Sequence, residues 1–108
     1  MKTVNWTHKR GTTFPEQIFQ YKENGTPRDI TNVEILAQLR KEPNGIVAYT
    51  LLIEKHDPEN GFYKIKEQII DIPACIYSYD MRMKFSQDEV YSDVEGKFVI
   101  NPNVSQDV

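Results

Sequence analysis

Two histidines, one cysteine and sixteen carboxylates are the groups in this 108-residue chain that could move protons, hold a metal ion or attack a carbon centre. Their spacing assembles none of these chemistries. His8 and His56 lie in different candidate segments, outside any H-x-x-x-H or Cys/His cluster of metal-ligand spacing. Both read as solvent-facing side chains. Cys75 stands alone, so neither an internal disulfide nor a C-x-x-C motif can form, and it reads as a small buried filler beside Ile76. A Cys-His nucleophile would need Cys75 against His8 or His56 with an orienting carboxylate, an arrangement the sequence leaves open and nothing in it encodes.

The carboxylates can be paired for general acid and base work in too many ways for any one pair to be informative. Asp57, Glu59 and Asn60 offer oxygen atoms to a calcium ion, but without the residue pattern of an EF-hand loop they read as an ordinary turn. Asp80 and Asp93 fall on polar positions of candidate strands, where a solvated face or an edge charge that blocks stray pairing is the usual role. No phosphate-binding glycine loop, G-x-S-x-G elbow or dinucleotide fingerprint is present. The tyrosines and Trp6 offer flat rings for stacking on sugars, yet Tyr77 and Tyr79 share the face of their strand that should line a core. The expectation is therefore no enzyme, with no catalytic, cofactor-binding or metal-binding residue and no cofactor.

The elements that would carry these side chains are strands. In Val33 to Arg40 the odd positions are all apolar and most even ones polar; in Ile76 to Phe85 the odd positions are Tyr, Tyr, Met, Met and Phe. A period of two places successive side chains on opposite faces of a strand. Turn clusters at Glu23 to Pro27, Glu42 to Gly45, Asp57 to Gly61 and Ser86 to Glu89 separate the pieces. The pieces are Val4 to Lys9, Gln17 to Lys22, Val33 to Arg40, Ile46 to Lys55, Phe62 to Lys66, Ile76 to Phe85 and Val90 to Ile100, with Gly96 marking a bulge in the last. Six prolines and the lack of sustained three-and-four spacing leave room for one short helix at most, placed at Ile69 to Cys75. Seven short strands with regular turns predict a β-sandwich.

One segment breaks the alternation. Ile46 to Ile53 is apolar on both faces, so its second face needs cover from a loop of this chain or from another subunit. Burying one Leu or Ile contributes about 1.5 to 3 kcal/mol, which makes a protein contact through this strand, including self-association, the partner expectation.

Length and charge narrow the function classes. The chain has the size of one domain, residues 1–108, with no linker-like stretch. Thirteen Lys and Arg against sixteen Asp and Glu, with the basic residues scattered, make no footprint for a phosphate backbone, so no nucleic-acid partner is expected. The longest apolar run is far shorter than the roughly twenty residues of a membrane-spanning helix, so no membrane span is expected. The N-terminal residues lack the apolar stretch of a secretion signal, which predicts direct cytoplasmic synthesis without a signal peptide.

Several segments carry a resemblance in their shared order: Arg10-Gly11-Thr12-Thr13-Phe14, Gly25 to Asn32, Gly61-Phe62-Tyr63, Tyr77-Ser78-Tyr79-Asp80-Met81, and Glu95 to Asn101. Together they resemble small bacteriophage virion structural proteins, and are similar in kind to the immunoglobulin-like N-terminal domain of phage baseplate upper proteins. Thr12 stands where Asp is frequent in that group, Ile30 where Leu is, and Asn32 where Gly is; Asn tolerates a left-handed turn nearly as Gly does. The resemblance implies an all-β, immunoglobulin-like antiparallel β-sandwich of about seven strands. It also implies a non-catalytic virion location as an adaptor at the tail, neck, baseplate or fibre attachment region, with other virion proteins as partners. The chain end soon after Asn103-Val104-Ser105 favours a short stand-alone adaptor over a whole fibre. A capsid-decorating or host-glycan-binding module is the alternative expectation.

Overall fold

Tyr77, Tyr79, Met81 and Met83 are buried while Ser78, Asp80, Arg82 and Lys84 take the opposite face, as the alternation requires. The structure, a computed structural model, describes residues 2–42 and 45–102. Within them the strands are β1 (Lys2–Thr3), β2 (Trp6–Lys9), β3 (Thr12–Phe14), β4 (Gln17–Gln20), β5 (Lys22–Glu23), β6 (Thr26–Pro27), β7 (Glu34–Lys41), β8 (Ile46–Thr50), β9 (Ile53–Asp57), β10 (Phe62–Ile65), β11 (Gln68–Ile70), β12 (Cys75–Ser86) and β13 (Glu89–Asn101). The expected all-β sandwich is the observed architecture, divided more finely than seven pieces.

The larger layer runs β1-β13-β12-β7-β8, with β2 also on β13. The second runs β4-β10-β9. Phe14 faces Gln68 and Gln17 faces Ile65, so β3-β11 and β4-β10 keep one register across a break at Pro15, which has no N–H to give. In immunoglobulin order β13-β12-β7-β8 stand as G-F-C-C′ and β4-β10-β9 as B-E-D. One apolar core, including Leu39, Tyr63, Ile65, Ile70, Met81 and Phe98, fills the space between.

Three expectations about the fold are corrected. The short helix at Ile69 to Cys75 is instead the end of β11 and an irregular crossing into β12. The Tyr77 hydroxyl donates to the Pro73 carbonyl over 2.6 Å and holds that crossing, which is the tyrosine corner of immunoglobulin-like folds. A single helical turn does occur, as a 3-10 turn at Pro58–Asn60 inside the predicted turn cluster. Pairing is not wholly antiparallel: β1 and β2 run parallel to β13, and the chain leaves β2 for β3, which pairs with β11, instead of turning back on β13 in a hairpin. The bulge in the last strand lies at Asp93-Val94, which together oppose Met81, and not at Gly96, which pairs in register with Tyr79.

Gly96 has a different task. Val4 and Asn5, between β1 and β2, pass directly over it, and a methyl group there would fall on the Val4 carbonyl oxygen. The crossing is fixed by Val4 N–H to Glu95 O at 2.9 Å, Lys97 N–H to Asn5 Oδ1 at 2.9 Å, and Tyr79 hydroxyl to Val4 O at 2.6 Å. At the other end, Asn24 and Gly25 both take positive φ, 53° and 80°, in a two-residue hairpin between β5 and β6. Pro43 and Asn44 of the predicted second turn, and Asn103 to Ser105, lie outside the described residues.

Candidate functional site

The segment predicted as one strand from Ile46 to Lys55 is two strands in two layers. Strand β8 pairs with β7, Thr50 opposite Gln38 and Ile46 opposite Lys41, and ends where Leu51 N–H donates to Ala37 O at 2.8 Å. The chain then crosses to the second layer, where β9 pairs with β10. Residues that change layers lose strict alternation, and this explains the doubly apolar pattern: Leu51 is buried at the corner while its neighbours are not.

Gln68 holds the corner. Its amide nitrogen donates to Lys66 O at 2.7 Å and Leu52 O at 3.3 Å, and its amide oxygen accepts from Leu52 N–H and the Tyr49 hydroxyl, each at 3.0 Å. Two donors and two acceptor sites are thus all used, as a buried amide requires. The Tyr49 ring packs against the core, and burial raises its phenol above the ordinary tyrosine range.

Outside that clamp the edge is aliphatic and, among the described residues, open. Strand β8 ends its sheet, and Ile46, Val47 and Ala48 are exposed in succession. Ile46 is 62% exposed, Val47 41%, Leu52 53% and Ile69 63%, values far from those of core residues. Leu52 and Ile69 flank the Gln68 clamp, and the Ile69 carbonyl lies 3.5 Å from the Tyr49 hydroxyl. From Gly45 to Ile53 the chain carries no charged residue. An edge strand with unpaired main-chain groups and aliphatic side chains is a template for another strand.

His8 is not solvent-facing: it is 8% exposed, its ring set edge-on to Phe14 with centroids 5.3 Å apart and Nε2 2.9 Å from Thr12 O. It faces inward because β2 covers the end of the core beside Trp6. His56 is exposed, as expected, with its ring edge-on to Phe62. Cys75 is half-buried against the core and its thiol points to the Ile76 carbonyl at 3.6 Å. Among the described residues no hydrogen bond joins Cys75 to either histidine. Asp57 accepts from Asn60 Nδ2 at 3.0 Å within the turn, and no group of three or more His, Cys, Asp or Glu is set to hold a metal ion among the described residues. Tyr77 and Tyr79 belong to the core, and burial pushes the Tyr79 phenol up to about 12, partly offset by the bond from Trp6 Nε1.

Asp93 departs from its expected solvated position. It is 7% exposed and accepts the Tyr63 hydroxyl at 2.6 Å, because the bulge turns both Asp93 and Val94 toward the core. Asp80 stays on the outer face, accepting from Ser92 Oγ at 2.7 Å.

A second polar cluster ties the β5-β6 hairpin to the tip of β12 and β13. Arg28 donates to both oxygens of Glu89 at 3.1 and 3.2 Å and to Glu23 at 2.7 Å, with its guanidinium 3.8 Å over the centre of the Phe85 ring. The Arg28 bonds hold the Glu89 carboxyl below its usual range, with help from the Tyr91 hydroxyl. Neither this cluster nor Gln68 has a local signature in the sequence, since partners lie up to 61 residues apart. No protein-family model and no curated protein matches the chain.

Proposed function

We propose that the chain is a non-catalytic structural subunit of a bacteriophage virion, an adaptor in the tail, neck, baseplate or fibre attachment region that works through its surfaces. The observation that carries this reading is the open aliphatic edge at Ile46, Val47, Leu52 and Ile69, which keeps apolar area and main-chain hydrogen-bonding groups available for another protein. The immunoglobulin-like order of strands supports the resemblance on which the virion assignment rests, and the segments carrying that resemblance sit at fold-defining places. Arg10-Gly11-Thr12-Thr13-Phe14 makes the turn from β2 into β3, Gly25 to Asn32 leads from the hairpin into β7, and Glu95 to Asn101 forms the half of β13 that receives β1 and β2.

Weak edges suffice in such a setting, because many copies around one symmetric ring act at high effective concentration. The test is mass spectrometry of purified particles from the phage that encodes the chain. Recovery in stoichiometric amount with tail proteins supports the reading, and particles complete without it would refute it.

A further inference from the structure

We infer that the partner of the β8 edge is a second copy of this chain, the two β8 strands running antiparallel about a two-fold axis so that one sheet continues through both subunits. The inference rests on the reading of the chain as a subunit that acts by contact, and names what that contact is.

The chemistry of the edge selects its partner. Its unpaired N–H and C=O groups are matched by an extended strand, and its exposed Ile46, Val47 and Ala48 by an aliphatic one. Strand β8 itself has both properties. Isologous pairing requires that kind of self-complementarity, and it closes at two copies because each uses the same edge.

Charge points the same way. Like charges placed opposite each other destabilise a strand pair, and self-pairing sets identical sequences face to face. The run from Gly45 to Ile53 has no charge to oppose. The edges at β1, β2 and β9 differ: β1 and β2 carry Lys2, His8 and Lys9, and β9 carries Glu54, Lys55, His56 and Asp57. Strand β4, also uncharged, already has its Gln20 main-chain carbonyl accepting from Lys2 Nζ at 3.3 Å, and the Gln20 side-chain Nε2 donates to Asn60 O at 3.0 Å. The charges that guard edges against stray pairing are missing at β8.

The size of the edge sets the strength of the pairing. A five-residue pairing with Leu52 and Ile69 at its margin lies near or below the about 1,200 Å² at which stable interfaces begin. Ala48, which has no partner in β7 because the register shifts there, further shortens the regular stretch. The association is therefore a concentration-dependent dimer.

Sedimentation equilibrium of the full chain tests this, with amide hydrogen exchange read at Val47 to Tyr49. The expected result is a weight-average mass that climbs from monomer toward dimer with concentration, in step with slower exchange at those amides. Val47→Lys, with Ile46→Lys as a second variant of unchanged circular dichroism, should raise the dissociation constant at least tenfold. A strict monomer up to about 1 mM, a dimer indifferent to both variants, or exchange at Val47 to Tyr49 independent of concentration would each overturn the inference. The two readings fail separately: a monomer that is still found in purified particles removes only self-pairing, and a β8 dimer absent from particles removes only the virion role.

Discussion

The Tyr63 hydroxyl on β10 donates to the Asp93 carboxylate on β13 over 2.6 Å, a buried bond that pins the two layers together. Tyr63→Phe keeps the ring and strands the carboxylate, so it should cost about 1–3 kcal/mol in urea unfolding. Asp93→Ala should cost a similar amount. The double variant should lose clearly less than the sum, because the second change removes a group whose partner is already gone. Strict additivity would show that the bond does not couple the layers.

Alkaline pH should act on the same core. Burial raises the Tyr63 phenol far above the ordinary range and the Tyr79 phenol to about 12. An unfolded tyrosine titrates near 10, so between about pH 10 and 12 the unfolded chain releases protons that the native chain retains. Stability contributed by these phenols is complete below about 10 and is lost as pH rises. The urea midpoint should fall steadily over that interval, and phenolate absorbance from the buried tyrosines should appear together with unfolding. Titration of every tyrosine near 10 in the native protein would contradict this.

What could be read in advance follows from the range of each cause. Alternation is local, so the inward faces of Val33 to Leu39 and Tyr77 to Met83 were legible from the residues alone. Asp93 was not, because its inward turn depends on a bulge set by Met81 on the neighbouring strand. The division of Ile46 to Ile53 between two layers was visible only as a failure of pattern, since Gln68, which holds the corner, belongs to a distant segment. For the same reason Gln68 is buried and Ile69 exposed, the reverse of their hydropathy. Surplus apolar surface is therefore legible within Ile46 to Ile53, but neither its place at a sheet edge nor the contribution of Ile69 is.

Gly96→Ala probes the N-terminal crossing. The added methyl group would fall on the Val4 carbonyl oxygen, a main-chain atom, and 2.8 Å from Asn5 Oδ1, a side-chain atom fixed by Lys97 N–H. Val4 and Asn5 must lift, which loosens the Tyr79 bond to Val4 and the Trp6 bond to Tyr79. A loss of about 2 kcal/mol or more is expected. Trp6 is the single tryptophan, so its emission should shift to the red in the folded variant. An unchanged spectrum and midpoint would mean that the crossing does not depend on the missing side chain.

Gln68→Leu keeps volume at the layer crossing and removes four hydrogen bonds at once. The Leu52 and Lys66 main chain can regain water at the rim, so the cost should stay near 3 kcal/mol rather than the sum of four separate losses. Tyr49→Phe removes only one of the four and should cost about 1 kcal/mol. Gln68→Glu separates the roles further, because a carboxylate can still accept from Leu52 N–H and Tyr49 but cannot donate to the Leu52 and Lys66 carbonyls. Its cost should therefore approach that of Gln68→Leu at neutral pH and shrink in acid, where the protonated carboxyl recovers one donor. Amide exchange at Leu52 should quicken in Gln68→Leu and remain slow in Tyr49→Phe. Equal effects of Tyr49→Phe and Gln68→Leu would place the clamp in the phenol instead of the amide.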